Sequence, residues 1–358
     1  MVASLFQGQE MTGLERTAAV LSGKKPDRVP VCALFNGASR RVLGVDYPKW
    51  STDPEECAES LIQGQKLVGD DALTLLIDLS VEAADFGQKV VYPIRSTAYS
   101  DTTVPVVKSV EDYYKIERIN PRETPRMSYV LQVINILSKR IGKEVALCGF
   151  IYGPLGVLSA MRGHEQVFMD CLKKPDAVLY AEDVIADVLC EYAKAMAEAG
   201  CHALMLDTLY ASQTIMRKKM WEKIEGEPAK KVMDAMRATG LPVTLHNCGN
   251  GIYFDAQQKW LDPVAISHAY PADDCKTWEE HAQKWGNQII TIGYVTPSEM
   301  ALSYDYQQTM EACRQCIETF KVTDGKFILA PGCEYPPNGT ILNAMAMVEA
   351  AKTYGVYK

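Results

Sequence analysis

Residues 243–250 read Val243-Thr-Leu-His246-Asn-Cys248-Gly-Asn250. A short apolar run stops abruptly on an imidazole and a thiol. Far downstream the pattern returns as Phe327-Ile-Leu-Ala-Pro-Gly-Cys333-Glu334, where a second apolar run ends near a second thiol. One imidazole and two thiolates form a soft ligand set, which favours zinc over magnesium or calcium. Three protein ligands instead of four leave a coordination position open, as catalytic zinc sites do. With 84 residues between Cys248 and Cys333, the set is neither a finger nor a ribbon. Only a fold that gathers distant strand ends can unite it.

Outward from these two runs, strand-like and helix-like segments alternate. Eight apolar runs read as strands: Val29–Phe35, Ala72–Leu76, Val145–Phe150, Ala203–Leu206, Val243–Leu245, Val264–Ser267, Ile289–Ile292 and Phe327–Leu329. Helical patterns separate them at Glu55–Val68, Met127–Ile141, a long pair over Glu165–Ala199, Arg217–Ala238, Thr277–Trp285, Tyr306–Phe320 and Thr340–Tyr354. Continuous apolar runs suit strands buried on both faces of a parallel sheet. Eight such units in 358 residues predict an α/β chain folded as one (β/α)8 TIM barrel. A doubly wound sheet is the alternative for the same alternation. The domain is expected to span residues 13–358, opening with a helical extension at Gly13–Leu21, behind a loose tail over residues 1–12. Pro93–Arg126 interrupts the rhythm and is expected to form a β-rich excursion or lid before the third strand.

Composition narrows the function classes. Apolar residues make up 47% and charged residues 23%, as in a globular protein with a large core. The net charge of −8 comes without a Lys/Arg block, which argues against a nucleic-acid partner. No apolar run approaches the roughly 18 residues that span a bilayer, so no membrane is expected. The opening MVASLFQGQEMTG lacks the pattern of a signal peptide. Eleven cysteines without secretion read as reduced thiols of a cytoplasmic protein. Cys171, Cys190 and Cys201 read as small core residues. Cys313 and Cys316 make a C-x-x-C inside a helical stretch, whereas a redox pair should follow a strand at a helix start.

In a barrel, catalytic groups lie at the C-terminal ends of the strands. The residues there are Phe35 and Asn36 after the first run, Asp78 and Glu82 after the second, Tyr152 after the third, and Asp207 and Tyr210 after the fourth. His246 and Cys248 follow the fifth, His268 and Tyr270 the sixth, Tyr294 the seventh, and Cys333 with Glu334 the eighth. The metal-ligand candidates therefore fall at the proper ends of two strands. Asp207, Glu82 and Asp78 are the candidates for proton carriers or for support of a bound histidine. Asp207 reads equally as a loop-tethering residue, and Asp78 and Glu82 as two residues on one helix face. Tyr152, Tyr210, Tyr270 and Tyr294, with Asn36, are the candidates for an aromatic substrate pocket suited to an aryl ring or a methylated cation. Cations are scarce at these tips; Arg40, Arg41 and Arg162 are the nearest in sequence.

Several of these stretches resemble the uroporphyrinogen decarboxylase superfamily. Met11-Thr-Gly-Leu-Glu-Arg with Lys25-Pro-Asp-Arg-Val-Pro-Val is similar to its opening, and Gly149-Phe-Ile-Tyr-Gly-Pro to its third-strand loop. The H-x-C-G-N motif and the late Pro331-Gly-Cys333 resemble the cobamide-dependent methyltransferase branch, which includes the coenzyme M methyltransferases. The resemblance implies a TIM barrel, one zinc held by His246, Cys248 and Cys333, and methyl exchange with a separate corrinoid (cobalamin) protein. The decarboxylases' late Gly-His-Gly is here Gly332-Cys333-Glu334, and their arginine-rich substrate loop is replaced by Val31-Cys-Ala-Leu-Phe-Asn-Gly-Ala-Ser-Arg. Asp78 falls where they keep a catalytic aspartate.

The expected activity is thus a zinc-dependent methyl transfer between a corrinoid protein and a small molecule. A thiol acceptor is favoured; a methoxyaromatic or methylamine donor to Co(I), and a decarboxylase-like reaction, are the alternatives. Water, Glu334 and Asp207 are the choices for a fourth zinc ligand. The loop tips and the Pro93–Arg126 excursion are the expected docking surface for the carrier.

Overall fold

The computed structural model describes residues 10–357. Nine strands form: β1 (Ala72–Leu75), β2 (Val90–Val91), β3 (Tyr99–Ser100), β4 (Ala146–Tyr152), β5 (Ala203–Asp207), β6 (Val243–Asn247), β7 (Ala265–His268), β8 (Ile290–Val295) and β9 (Phe327–Pro331). Seven make one curled parallel sheet in the order β1-β4-β5-β6-β7-β8-β9. Alternation sorts their side chains. Leu73, Leu75, Leu147, Leu204, Leu206 and Leu245 face the helices outside, while Ala72, Ala146, Phe150, Met205, Ile292 and Ile328 meet in the interior.

The first expected strand, Val29–Phe35, is not a regular strand. Pro30 has no N–H to donate, and the Val31 amide is taken by the Asp71 carboxylate at 2.8 Å. Leu34 adopts a φ of 49° and turns the chain toward the helix Asn36–Leu43. The segment still lies between β9 and β1. Cys32 N donates to Leu329 O, Leu329 N to Pro30 O, and Asp71 N to Val31 O, at 2.8–2.9 Å.

The expected helices form with small shifts. Asp53 caps Pro54–Val68, and Thr12 caps Gly13–Leu21 in a reciprocal box with Glu15. Arg217–Ala238 breaks into Lys218–Ile224 and Gly226–Ala238. Within Pro93–Arg126 lie β3, which pairs with β2 just upstream of the stretch, and the short helix Val110–Tyr113, so the excursion is mostly irregular and not β-rich. Of the expected tail, residues 1–9 lie outside the described residues, whereas Met11 is held: its N–H reaches Asp27 and its carbonyl accepts from Arg16. Arg16 and Arg28 both pair with the buried Asp71. The stretches 11–16 and 25–31 thus clamp the helix Gly13–Leu21 onto the foot of the sheet, at the strands' N-terminal ends. The far end of the chain joins there too: Val29 N donates to Gly355 O and Tyr357 N to Asp27 O, flanking an Arg28–Val356 bridge. Among the described residues no helix is long and apolar enough to cross a membrane.

Candidate metal and substrate site

Parallel register places Tyr152, Asp207 and His246 side by side at the C-terminal ends of β4, β5 and β6. Cys248 follows in the loop after β6, and Cys333 in the loop after β9. The candidate donor atoms of His246, Cys248 and Cys333 lie within 4.8 Å of one another. The loop around Cys248 is fixed by Asn247, whose side chain donates to Thr208 O at 2.6 Å and accepts from Gly249 N at 2.9 Å. Gly249 leaves room for Ser212, whose Oγ would lie 2.2 Å from an added Cβ. Gly332 does the same on the other side, where a Cβ would meet the Ala269 Cα at 2.5 Å. The glycines in H-x-C-G-N and P-G-C thus let two loops close on one point.

Electrostatics tie the three donors together. A hydrogen bond from Cys248 and the nearby His246 hold the Cys333 thiol well below its usual range, against burial. The same Cys333 contact, together with burial, pushes Cys248 up. Burial opposes protonation of His246, but the Cys333 contact and charge and then Asp207 raise it overall. His246 Nδ1 lies 3.0 Å from Ser267 Oγ, and the Phe150 ring meets its edge at 6.1 Å between centroids. Ser267 was not among the candidates. It stands opposite His246 in the β6–β7 ladder, a register that the sequence does not display.

Of the acids, Asp207 is beside the donor set. Burial lifts its carboxyl to about 6, and its Oδ1 accepts from Leu209 N at 2.9 Å. Asp78 is buried in a pair with Arg126, and its Oδ1 accepts from Ser80 N. Glu82 accepts from Tyr152 N at 3.0 Å, and burial raises it to about 8. Glu334 has one carboxylate oxygen, Oε1, buried with no partner among the described residues. Asn36 is buried at the start of the helix Asn36–Leu43.

The tyrosines do not converge into one wall. Tyr152 lies against Gly156 of the following helix, and the Tyr210 hydroxyl is 2.9 Å from His164 Nδ1. Tyr294 stacks on Trp278 at 3.7 Å, outside the sheet, and reaches Thr319. Tyr270 is half exposed. His268 points outward to Phe254, Trp278 and His281. A position at a strand end does not decide which side of the wall a ring takes, and here apolar partners outside took two of them.

A curled parallel α/β sheet carrying a His/Cys/Cys cluster at its C-terminal rim defines the class. The chain belongs to the uroporphyrinogen decarboxylase (URO-D) family, whose model matches residues 12–354. It is 26% identical to the methylcobamide:CoM methyltransferase MtbA of Methanosarcina acetivorans, over 96% of this chain and 99% of that one. The MtbA of Methanosarcina mazei is 28% identical over the same shares. A solved methyltransferase from Methanosarcina mazei superposes with a TM-score of 0.83 at 22% identity, covering 96% of this chain and 99% of the other, and shares its fold.

Proposed function

We propose that this chain is a zinc-dependent methyltransferase that exchanges a methyl group between a corrinoid protein and a small substrate, with a thiol as the favoured acceptor. The observation that carries this reading is the convergence of His246, Cys248 and Cys333 within 4.8 Å. The donor set fits zinc: two soft sulfurs, and an imidazole whose Nδ1 is engaged by Ser267, which leaves Nε2 for a metal. Bound there, zinc would lower the pKa of a substrate thiol or withdraw charge from a methoxy oxygen. In the favoured direction the thiolate sulfur forms the S–CH3 bond as the Co–C bond breaks, and the bonding pair stays on cobalt as Co(I). Asp207, beside the donors, would accept the thiol proton on the oxygen not held by the Leu209 amide. Ser267 holds the imidazole in the metal-binding tautomer by accepting from Nδ1–H. Water, Glu334 or Asp207 would supply a further ligand to a zinc held there.

A second reading takes a methoxyaromatic or methylamine as methyl donor. It is supported by the charge around the donors: Asp207 stands beside them, and the buried Arg126 is already paired with Asp78. A sulfonate has little to bind there.

The carrier docks on the rim. There Asn338, beyond Cys333, donates to the carbonyl of Arg95 in the excursion. Residues 13–358 act as one catalytic domain, in the cytoplasm.

Two measurements test the reading. Purified protein should carry about one zinc, and Cys333→Ser should lose it while keeping the far-ultraviolet circular dichroism. Well-folded wild-type protein without affinity for zinc would sink the proposal. A panel of thiols, methoxyaromatics and methylamines, mixed with methylcobalamin or cob(I)alamin and followed by the cobalt absorption spectrum, decides direction and substrate class.

A further inference from the structure

The interior of the sheet holds a second space, away from the metal-ligand cluster. A cavity of about 440 Å³ lies between the inner face and the helix Gly13–Leu21. Its wall includes Ala72, Ala146 and Ala203, the first residues of β1, β4 and β5, so it sits at the foot and not at the mouth. Parallel barrels normally fill this layer with Val, Ile and Leu. Here the inward positions carry alanine and cysteine instead, with Cys32 and Cys148 continuing the wall.

The space is built in three respects. Its floor is rigid, because Arg16 bolts the helix Gly13–Leu21 to Asp27 and Asp71. Among the described residues no Asp, Glu, Lys or Arg side chain lines it. The one imidazole on its wall, His202, accepts from Leu147 N at 3.0 Å, and burial lowers its pKa, so it is neutral. Thr17, on the floor, has its Oγ1 buried without a hydrogen-bond partner among the described residues. Ser267 closes the far end and is the same residue that contacts His246. Its volume falls within the range of small-molecule pockets.

We infer that this cavity is a second binding site, for an uncharged, largely apolar molecule of one or two rings with at most one hydrogen-bonding group. It is separate from the site of methyl transfer and does not depend on that reading. A charged ligand would lose its hydration with no counter-charge to replace it.

Xenon and indole are the probes. In crystals of the wild-type protein under xenon pressure, xenon is expected between Ala72, Ala146 and Cys148. In solution, millimolar indole should raise the unfolding temperature by several degrees, through preferential binding to the folded chain. Ala203→Leu, which fills the space, should abolish the indole shift while itself unfolding no earlier than wild type. Density for protein in the cavity, no xenon there, or an indole shift that survives in Ala203→Leu overturns the inference. Should Ala203→Leu fail to fold, the xenon experiment decides alone.

Discussion

A single hydroxyl connects the candidate metal ligands to the rest of the sheet. Ser267 Oγ lies 3.0 Å from His246 Nδ1 and is the only polar contact made by that nitrogen among the described residues. Groups that orient a metal-binding histidine in this way contribute about 10–100-fold to metal affinity. Ser267→Ala is therefore expected to weaken zinc binding by about that factor without unfolding the protein, measured by competition with a chromophoric chelator. Unchanged affinity would mean the imidazole is oriented by its packing against Phe150. At this scale the sequence was informative where chemistry and position coincided. His246, Cys248 and Cys333 could be picked out because soft ligands at strand ends are rare. Ser267 could not, because a serine in an apolar strand announces nothing until the neighbouring register is known. Tyr294 misled for the converse reason: its place near the end of β8 was legible, but its stacking on Trp278 depends on a helix elsewhere in the chain.

Among elements, the strands from Ala72 onward were readable because burial on both faces leaves unbroken apolar runs. The segment Val29–Phe35 reads the same way and yet is irregular, since the Asp71 side chain, not a backbone carbonyl, satisfies the Val31 amide. No local pattern reveals a partner 40 residues away. The break in Arg217–Ala238 has a similar origin. The Glu225 carboxylate accepts from Leu155 N and Trp221 Nε1, anchoring the first turn of the helix Pro154–Arg162 at the joint. The helix Pro175–Ala199 carries an opposite case. Glu182 is fully buried, and neither of its carboxylate oxygens has a partner among the described residues. Burial drives its pKa well up, so the folded protein holds it neutral. Replacing an unsatisfied buried polar group with an apolar side chain of similar length should stabilise by about 1–3 kcal/mol. Glu182→Met is expected to raise the thermal midpoint, and a fall in the midpoint would show that the carboxyl has a use.

The whole molecule inherits a pH dependence from such groups. Glu82 and Glu225 are raised by burial from 4.5 to about 8. Between these values each of these two groups keeps in the folded chain a proton that it releases in the unfolded chain, as Glu182 does. Stability is therefore greatest at the acid end of this window and declines as pH rises through it, by up to about 1.4 kcal/mol per unit for each group. Urea midpoints at pH 5.5 and 7.5 should show this fall. The Glu82→Gln, Glu225→Gln pair should make it shallower, and an equal slope in the double variant would assign the dependence to other groups. The pairing of Val29 with Gly355 and of Tyr357 with Asp27 bears on how the molecule can be handled. The described ends of the chain are knotted together on the face opposite the rim. A tag, a surface tether or a fused carrier attached at residue 357 would hang from below and leave the upper face clear.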